Sequence, residues 1–153
     1  MRVWRLCQAA YAKEALTGEG GLHAFGRWHL QGTRVVYAAA TLSLAALELL
    51  VRMDRPSAPP DLVPIEIEIP DFVEVEQLTQ SKLPTGWDAY PAPVSTQRLG
   101  TAWLAARRTA VLQVPSAVIP RESNDLLNPA HPGFSRVRII GRVPFSFDSR
   151  PLT

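Results

Sequence analysis

The stretch RVVYAAATLSLAALELLVR, residues 34–52, decides the fold. It opens with Arg34-Val35-Val36-Tyr37-Ala38, a β-branched and aromatic run that reads as a buried strand. Thr41 or Ser43 can then cap a helix that runs to about Arg52. Leu44, Leu47 and Val51 recur at i, i+3 and i+7, which predicts one buried face. Glu48 follows Leu44 by one turn, at the edge of that face, so its carboxylate is half-drawn into the interior. Val35 to Val51 is the most apolar stretch of the chain, but it is only about 17 residues, contains Glu48, and breaks into strand and helix near Tyr37 to Thr41. A membrane span is therefore rejected.

On the N-terminal side, Val3 to Cys7 reads as a short strand, and Thr17 to Gly21 as a loop that needs glycine flexibility. On the C-terminal side, Asp54 to Pro60 is a Pro-rich break. Ile65-Glu66-Ile67-Glu68-Ile69 alternates strictly, a half-buried strand with its glutamates outward, and Phe72 to Glu76 offers another. Lys82 to Pro93 suggests an ordered loop packed by Trp87 and Tyr90. Ser95 can cap a second helix with Leu99, Trp103, Ala106 and Ala110 on one face. Ala110 to Val114 returns to strand, Pro115-Ser116-Ala117 breaks it, and Val118-Ile119 resumes it. Asn128-Pro129 and His131-Pro132-Gly133 are turn signals, and Val137 to Phe147 supplies a last strand or two. Strands outnumber helices without regular alternation, which gives a mixed α+β domain. Neither a Rossmann glycine fingerprint nor a Walker A loop is present.

With 153 residues, 46% hydrophobic and 20% charged, the chain fits one globular domain over residues 1–153. The single cysteine, Cys7, excludes an intrachain disulfide, fits a reducing cytoplasm and disfavours a structural zinc site. No metal site is expected. The opening MRVWRLCQ lacks the apolar core of a signal peptide, so a cytoplasmic protein is expected. A net charge of +2 is too small to argue for direct nucleic-acid binding. Its distribution is uneven: residues 54–93 hold eight acidic and two basic residues, and residues 94–142 hold two acidic and seven basic. The basic stretch can attract an anion; two solvated surfaces of opposite sign explain it as well.

Four segments, taken in order, resemble the RES family. They are Trp4-Arg5; Gly20-Gly21 with Gly26-Arg27-Trp28-His29 and Gly32; Val35-Val36-Tyr37-Ala38 leading into Ser43-Leu44-Ala45 and Leu47-Glu48; and Val114-Pro115-Ser116-Ala117 followed by Asn124 to Asn128-Pro129 and His131-Pro132-Gly133-Phe134. The arginine, glutamate and serine that name the family map onto Arg27, Glu48 and Ser116; the literal string Arg121-Glu122-Ser123 is a coincidence. The resemblance implies a fold like that of ADP-ribosyltransferases and an NAD substrate. It also implies a toxin of a bacterial type II pair, held by an Xre-like antitoxin as a hetero-oligomer. NAD enters as substrate, with inorganic phosphate as a possible co-substrate, and no resident cofactor is implied.

Cleaving the nicotinamide–ribose bond creates an oxocarbenium-like centre and releases neutral nicotinamide, so a fixed negative charge near the ribose helps more than an acid. Glu48 is the candidate for that charge. Arg27 suits the pyrophosphate, because a guanidinium forks onto phosphate oxygens. Tyr37 offers a ring face for nicotinamide and a hydroxyl for orientation. Ser116 can hold Glu48 or a ribose hydroxyl, and Arg5 and Trp28 are secondary candidates for phosphate contact and stacking. Each also has a plain structural reading: a surface cation–π pair for Arg27, a core ring for Tyr37, a solvated glutamate for Glu48, a turn for Ser116. His29 and His131 fit ligands or bases, or simple turn residues. Glu66-Ile67-Glu68 matches the Glu-x-Glu that some ADP-ribosyltransferases carry on a strand, although alternation accounts for it equally well, and Glu48 is preferred. Three functions remain open: NAD degradation with water or phosphate as acceptor, ADP-ribosylation of a protein, and a non-enzymatic binding module.

Overall fold

A computed structural model describes residues 1–53 and 61–148, so the expected break at residues 54–60 and the last five residues lie outside the described ones. In chain order the elements are β1 (Arg2–Gln8), α1 (Gly20–His23), β2 (Val36–Ala39), α2 (Leu42–Arg52), β3 (Leu62–Glu68), β4 (Val75–Gln77), α3 (Val94–Ala106), β5 (Val111–Pro115), β6 (Ser123–Leu127) and β7 (Arg138–Arg142). Single 3-10 segments occur at Ala9–Glu14, Gln80–Lys82 and Pro132–Arg136. The strands form one seven-stranded sheet, ordered β4-β5-β6-β2-β1-β3-β7. Among the described residues only β4 and β5 pair in parallel. This is the expected α+β class.

The two faces of the sheet are read from its alternation. One face carries Val3, Val36, Ala38, Ile65, Ile67, Val111 and Leu127, closed over by Ala12, Ala15 and Val137. The other is covered by both long helices. α2 packs Leu44 and Ala45 against Ala39, Trp4 and Leu6. α3 packs Trp103 and Leu104 against Leu112, Val114, Leu126 and the Tyr37 ring. On this face α2 therefore lies against β1 and β2, and α3 against β5 and β6. β1 and β2 share a single register pair, Trp4 with Ala39, so the strands part beyond it.

The 34–52 reading holds in outline, with the strand at Val36–Ala39. Thr41 is the cap: its hydroxyl accepts from Leu44 N–H at 3.1 Å. Thr41→Ala should lower stability by about 1 kcal/mol, read from the urea midpoint at unchanged slope. The expected buried face of α2 is corrected. Leu44 is buried, but Leu47 and Val51 are 40% and 58% exposed. The inward stripe is Leu44, Ala45, Glu48 and Leu49, because small Ala45 lets the helix sit close to β2 and polar partners await Glu48 beneath it.

α3 is corrected in two respects. Pro93, not Ser95, precedes the helix, and no side chain caps it. Its buried face is Thr96, Gln97, Gly100, Trp103 and Leu104; Ala106 is exposed, and a left-handed Arg107 (φ 52°) separates the helix from Ala110. Gly100 sets that face, since a methyl there would collide with the Trp28 carbonyl. Gly20 and Gly21 open α1 instead of extending the loop, and a side chain on Gly21 would strike the Thr33 carbonyl. Phe72 stays exposed ahead of β4, and Tyr90 is exposed, so Trp87 packs the loop with Leu83 instead. Val118-Ile119 is a bend, and the strand falls at Ser123–Leu127 instead. The last segment gives one strand, β7, paired with β3. Among the described residues no helix is long and apolar enough to cross a membrane.

Candidate active site

Glu48 turns from α2 toward the sheet and meets two donors there. The Ser116 hydroxyl donates to Glu48 Oε1 at 2.7 Å. The Asn124 amide donates to the same oxygen, also at 2.7 Å. Ser116 is fully buried just beyond β5, where Pro115 ends the strand. Its oxygen accepts from Val118 N–H at 3.0 Å and Ile119 N–H at 3.1 Å. Two accepted bonds fill the lone pairs, so the hydroxyl proton has one direction, toward Glu48. Of the two roles expected for Ser116, the geometry provides the first.

Tyr37 projects from β2 on the same sheet face, two residues before Ala39, which pairs with Asn124. Its hydroxyl lies 2.6 Å from His29 Nδ1, and His29 Nε2 lies 2.8 Å from the Ala24 carbonyl. A carbonyl only accepts, so Nε2 carries the proton, and Nδ1 accepts from Tyr37. Burial pushes the imidazole down from its usual pKa, which keeps it in this neutral form. The Tyr37 oxygen also receives Trp28 N–H at 3.3 Å. Its proton is thus committed to His29, and burial pushes the phenol well above its ordinary value. The hydroxyl anchors the Gly26–His29 loop, and the ring is the part of Tyr37 left to meet a ligand.

That loop carries Arg27 and Trp28. A backbone bridge joins Gly26 to His29. Two side chains from the first turn of α3 hold it: Thr96 donates to the Arg27 carbonyl at 2.7 Å and Gln97 to the Gly26 carbonyl at 3.0 Å. Arg27 Nη1 donates to the Trp87 and Ala89 carbonyls, both at 2.8 Å, leaving Nε and Nη2 for another acceptor. Trp28 is buried, its ring 6.4 Å from Trp87, so it supports the loop instead of offering a free stacking face. Arg5 sits on the Val3 and Cys7 side of β1 and donates to the Tyr37 carbonyl at 3.2 Å; its Nε is buried without a partner, and burial lowers its pKa. Arg52 donates to the Glu48 carbonyl at 3.1 Å. Among the described residues, none of Arg5, Arg27 and Arg52 is ion-paired with a carboxylate. The fields of Arg27 and Arg52 both reach Tyr37. Around Tyr37, Arg27 and Arg52 therefore stand without counter-ions, while Glu48 is a carboxylate fixed by two donors.

The alternative carboxylates are engaged elsewhere. Glu66 pairs with Arg2 at 3.2 Å and Glu68 with Arg138 at 2.9 Å on the outer strands. His131 Nδ1 accepts Gly133 N–H, a turn role. Asn124, Thr96 and Gln97 were given no role by the sequence reading. Asn124 enters that reading only as the start of the Asn124 to Asn128-Pro129 segment; it stands on β6.

Behind Asn124, Asp125 points to the opposite face and is fully buried, with one weak bond from Gln113 at 3.4 Å and Oδ2 unpartnered. Burial raises its pKa to about 7. A carboxyl raised from an unfolded value of about 3.9 binds its proton more tightly when folded. Stability must then fall as pH rises from about 4 to about 7 and level off above that. Asp125→Asn removes this titration. The variant should melt higher than wild type by several degrees above about pH 7, with the gap narrowing toward about pH 4, as thermal melts across pH will register.

Comparison with known proteins places this geometry in a family. Over 151 residues the chain is 42% identical to "Prs ADP-ribosylating toxin" of Sphingobium sp. (strain YBL2), covering 96% of this chain and 94% of that one. It is 35% identical to "Toxin Res" of Yersinia enterocolitica serotype O:8, covering 98% and 99%. It is 40% identical over 141 residues to "Toxin Res" of Pseudomonas putida, covering 91% and 92%. In fold it is similar to a chain of the M. tuberculosis MbcT–MbcA toxin–antitoxin complex, with a TM-score of 0.74 at 18% identity, covering 93% of this chain and 82% of that one. The RES domain model matches residues 2–148, and the chain belongs to the RES domain family.

Proposed function

We propose that this chain is the toxin of a toxin–antitoxin pair and that it cleaves the nicotinamide–ribose bond of NAD, depleting the cell of it. The observation that carries the reading is Glu48, held at one oxygen by Ser116 and Asn124, with Arg27 and Arg52 near Tyr37; we read the space between α2 and α3 as the substrate cleft. NAD has the complementary layout: an anionic pyrophosphate beside a ribose that becomes cationic as nicotinamide leaves. Nε and Nη2 of Arg27 would take the pyrophosphate, the Tyr37 ring would stack on nicotinamide, and the Glu48 carboxylate would stabilise the ribosyl centre. As the C1′–N bond breaks, its electron pair leaves with nicotinamide. An acceptor oxygen then adds to C1′ and gives up its proton to solvent. Water yields ADP-ribose, and inorganic phosphate yields its phosphorylated form. An Xre-like antitoxin would cover the cleft as a hetero-oligomer in the cytoplasm.

A second reading has one specific support, the name of the 42% identical Sphingobium relative, an ADP-ribosylating toxin. The same cleavage would then pass ADP-ribose to a protein nucleophile. Product analysis separates the two. Purified chain, free of partner, is incubated with NAD with and without inorganic phosphate, and with bacterial extract, and products are read by mass spectrometry. Free ADP-ribose or its phosphorylated form in proportion to NAD lost supports degradation. ADP-ribose recovered on protein supports the second reading. NAD left intact in every arm refutes both.

A further inference from the structure

We propose that Asn124 is a positioning residue for the reaction: its amide and the Ser116 hydroxyl together tie down Glu48 Oε1, so that Oε2 is the oxygen presented to the substrate. The inference rests on the reading of Glu48 as the charge that faces the ribose. Both donors reach the same atom at 2.7 Å, one from just past the end of β5 and one from β6. Asn124 pairs with Ala39 on β2 and Val114 on β5, and the small Ala39 side chain leaves room for the amide to reach α2. Among the described residues Oε2 has no hydrogen-bond partner. Asn128, next to the end of the same strand, makes a useful contrast: its amide is spent on the Leu104 carbonyl, and its oxygen caps Ala130 N–H, a purely structural use. Asn124 instead directs its donor at the carboxylate of the cleft.

An amide donates at every pH without adding charge, and this makes the proposal testable by one isosteric change. Asn124→Asp places a second carboxyl against Glu48. Like charges this close cannot both ionise at ordinary pH, so the pair keeps one proton to a pH well above the usual carboxylate range. Ser116 continues to donate to Glu48, which biases that proton onto the new aspartate. In that state the aspartic acid donates as the amide did; once the proton is lost, the donor is lost. The other ionisable groups on the elements packed around Glu48 are Arg52 on α2, Arg2, Arg5 and Cys7 on β1, Tyr37 on β2, Asp125 on the far side of β6, and Arg121 and Glu122 on the β5–β6 connection. All are common to wild type and variants, so a difference in pH profile belongs to position 124.

The experiment measures kcat and KM for NAD from about pH 5.5 to about pH 8.5 in wild type, Asn124→Ala and Asn124→Asp, with thermal melts to confirm folding. The Glu48 carboxyl is followed by 13C NMR titration in wild type and Asn124→Asp. Asn124→Ala should lower kcat by about tenfold or more with KM within about threefold. Asn124→Asp should be equally impaired near pH 8 and recover to within about threefold of wild type near pH 5.5, an alkaline limb that wild type lacks. A purely structural asparagine would give no such recovery. Wild-type rates and an unshifted profile in both variants would overturn the inference while leaving NAD cleavage intact. If folded wild type does not consume NAD, it is the functional reading that fails. The NMR titration then decides the inference: coupling of Glu48 to the new carboxyl supports the contact, and an identical Glu48 titration in both proteins overturns it.

Discussion

Glu48→Gln should lower the rate of nicotinamide release from NAD by about 10²- to 10³-fold, the size of loss seen when one preorganised electrostatic group is removed from a dry site. The substitution is close to isosteric. A glutamine oxygen can still accept from Ser116 and Asn124, so the cluster keeps its shape and the fold its stability. What disappears is the negative charge, which matters only when positive charge grows on the ribose. The loss should therefore appear in kcat, with KM little changed. Glu68→Gln is the matched control. It removes the half-buried β3 carboxylate that pairs with exposed Arg138, an ion pair worth at most about 1 kcal/mol, and it should leave the rate unchanged. Steady-state kinetics on the three proteins checks both statements. A Glu68→Gln rate that falls as Glu48→Gln does would move the site to the outer strands.

The second large effect concerns stability. Helix propensity alone says Gly100→Ala should stabilise α3 by about 1 kcal/mol. The packing says the opposite. A methyl group at Gly100 would overlap the Trp28 carbonyl oxygen and stand 2.7 Å from its carbon. That carbonyl belongs to a backbone pinned on both sides, by Thr96 and Gln97 of the same helix and by the Tyr37 hydroxyl, so it cannot move aside cheaply. Overpacking of this kind costs about 3 kcal/mol, which outweighs the propensity gain. The melting temperature should drop by on the order of 5–10 °C. Because the helix must lift from the loop that carries Arg27, NAD affinity should weaken as well. A variant that melts at or above the wild-type temperature would mean that α3 does not lie against Trp28.

Local periodicity and turn chemistry were legible in the sequence because they act over a few residues. The Thr41 cap, the helix to Arg52 and the Ile65–Ile69 alternation are of this kind. The buried face of α2 lies about one residue from the one its leucine spacing predicts. The periodic leucines compete with Ala45 and Glu48 for the sheet, and the polar pair that donates to Glu48 lies 68 and 76 residues away. β6 escaped notice for a related reason. Ser123-Asn124-Asp125 lacks the β-branched and aromatic residues that mark strands, and it becomes a strand because β2 and β5 flank it. Of the candidate site, Glu48 and Ser116 could be named in advance and are found in contact. Arg27 and Tyr37 could be named too, but not their engagement with the 87–89 backbone and with His29. Asn124 could not, since its role exists only once the strands are in register.

The most direct test is release of free nicotinamide from NAD by the purified, folded chain without any partner, followed over time beside the Glu48→Gln variant. Steady release by wild type, reduced by about 10²-fold or more in the variant, is the expected result. No release from folded wild type, or equal release from both proteins, would contradict the assignment of the cleft as an NAD-cleaving site built on Glu48.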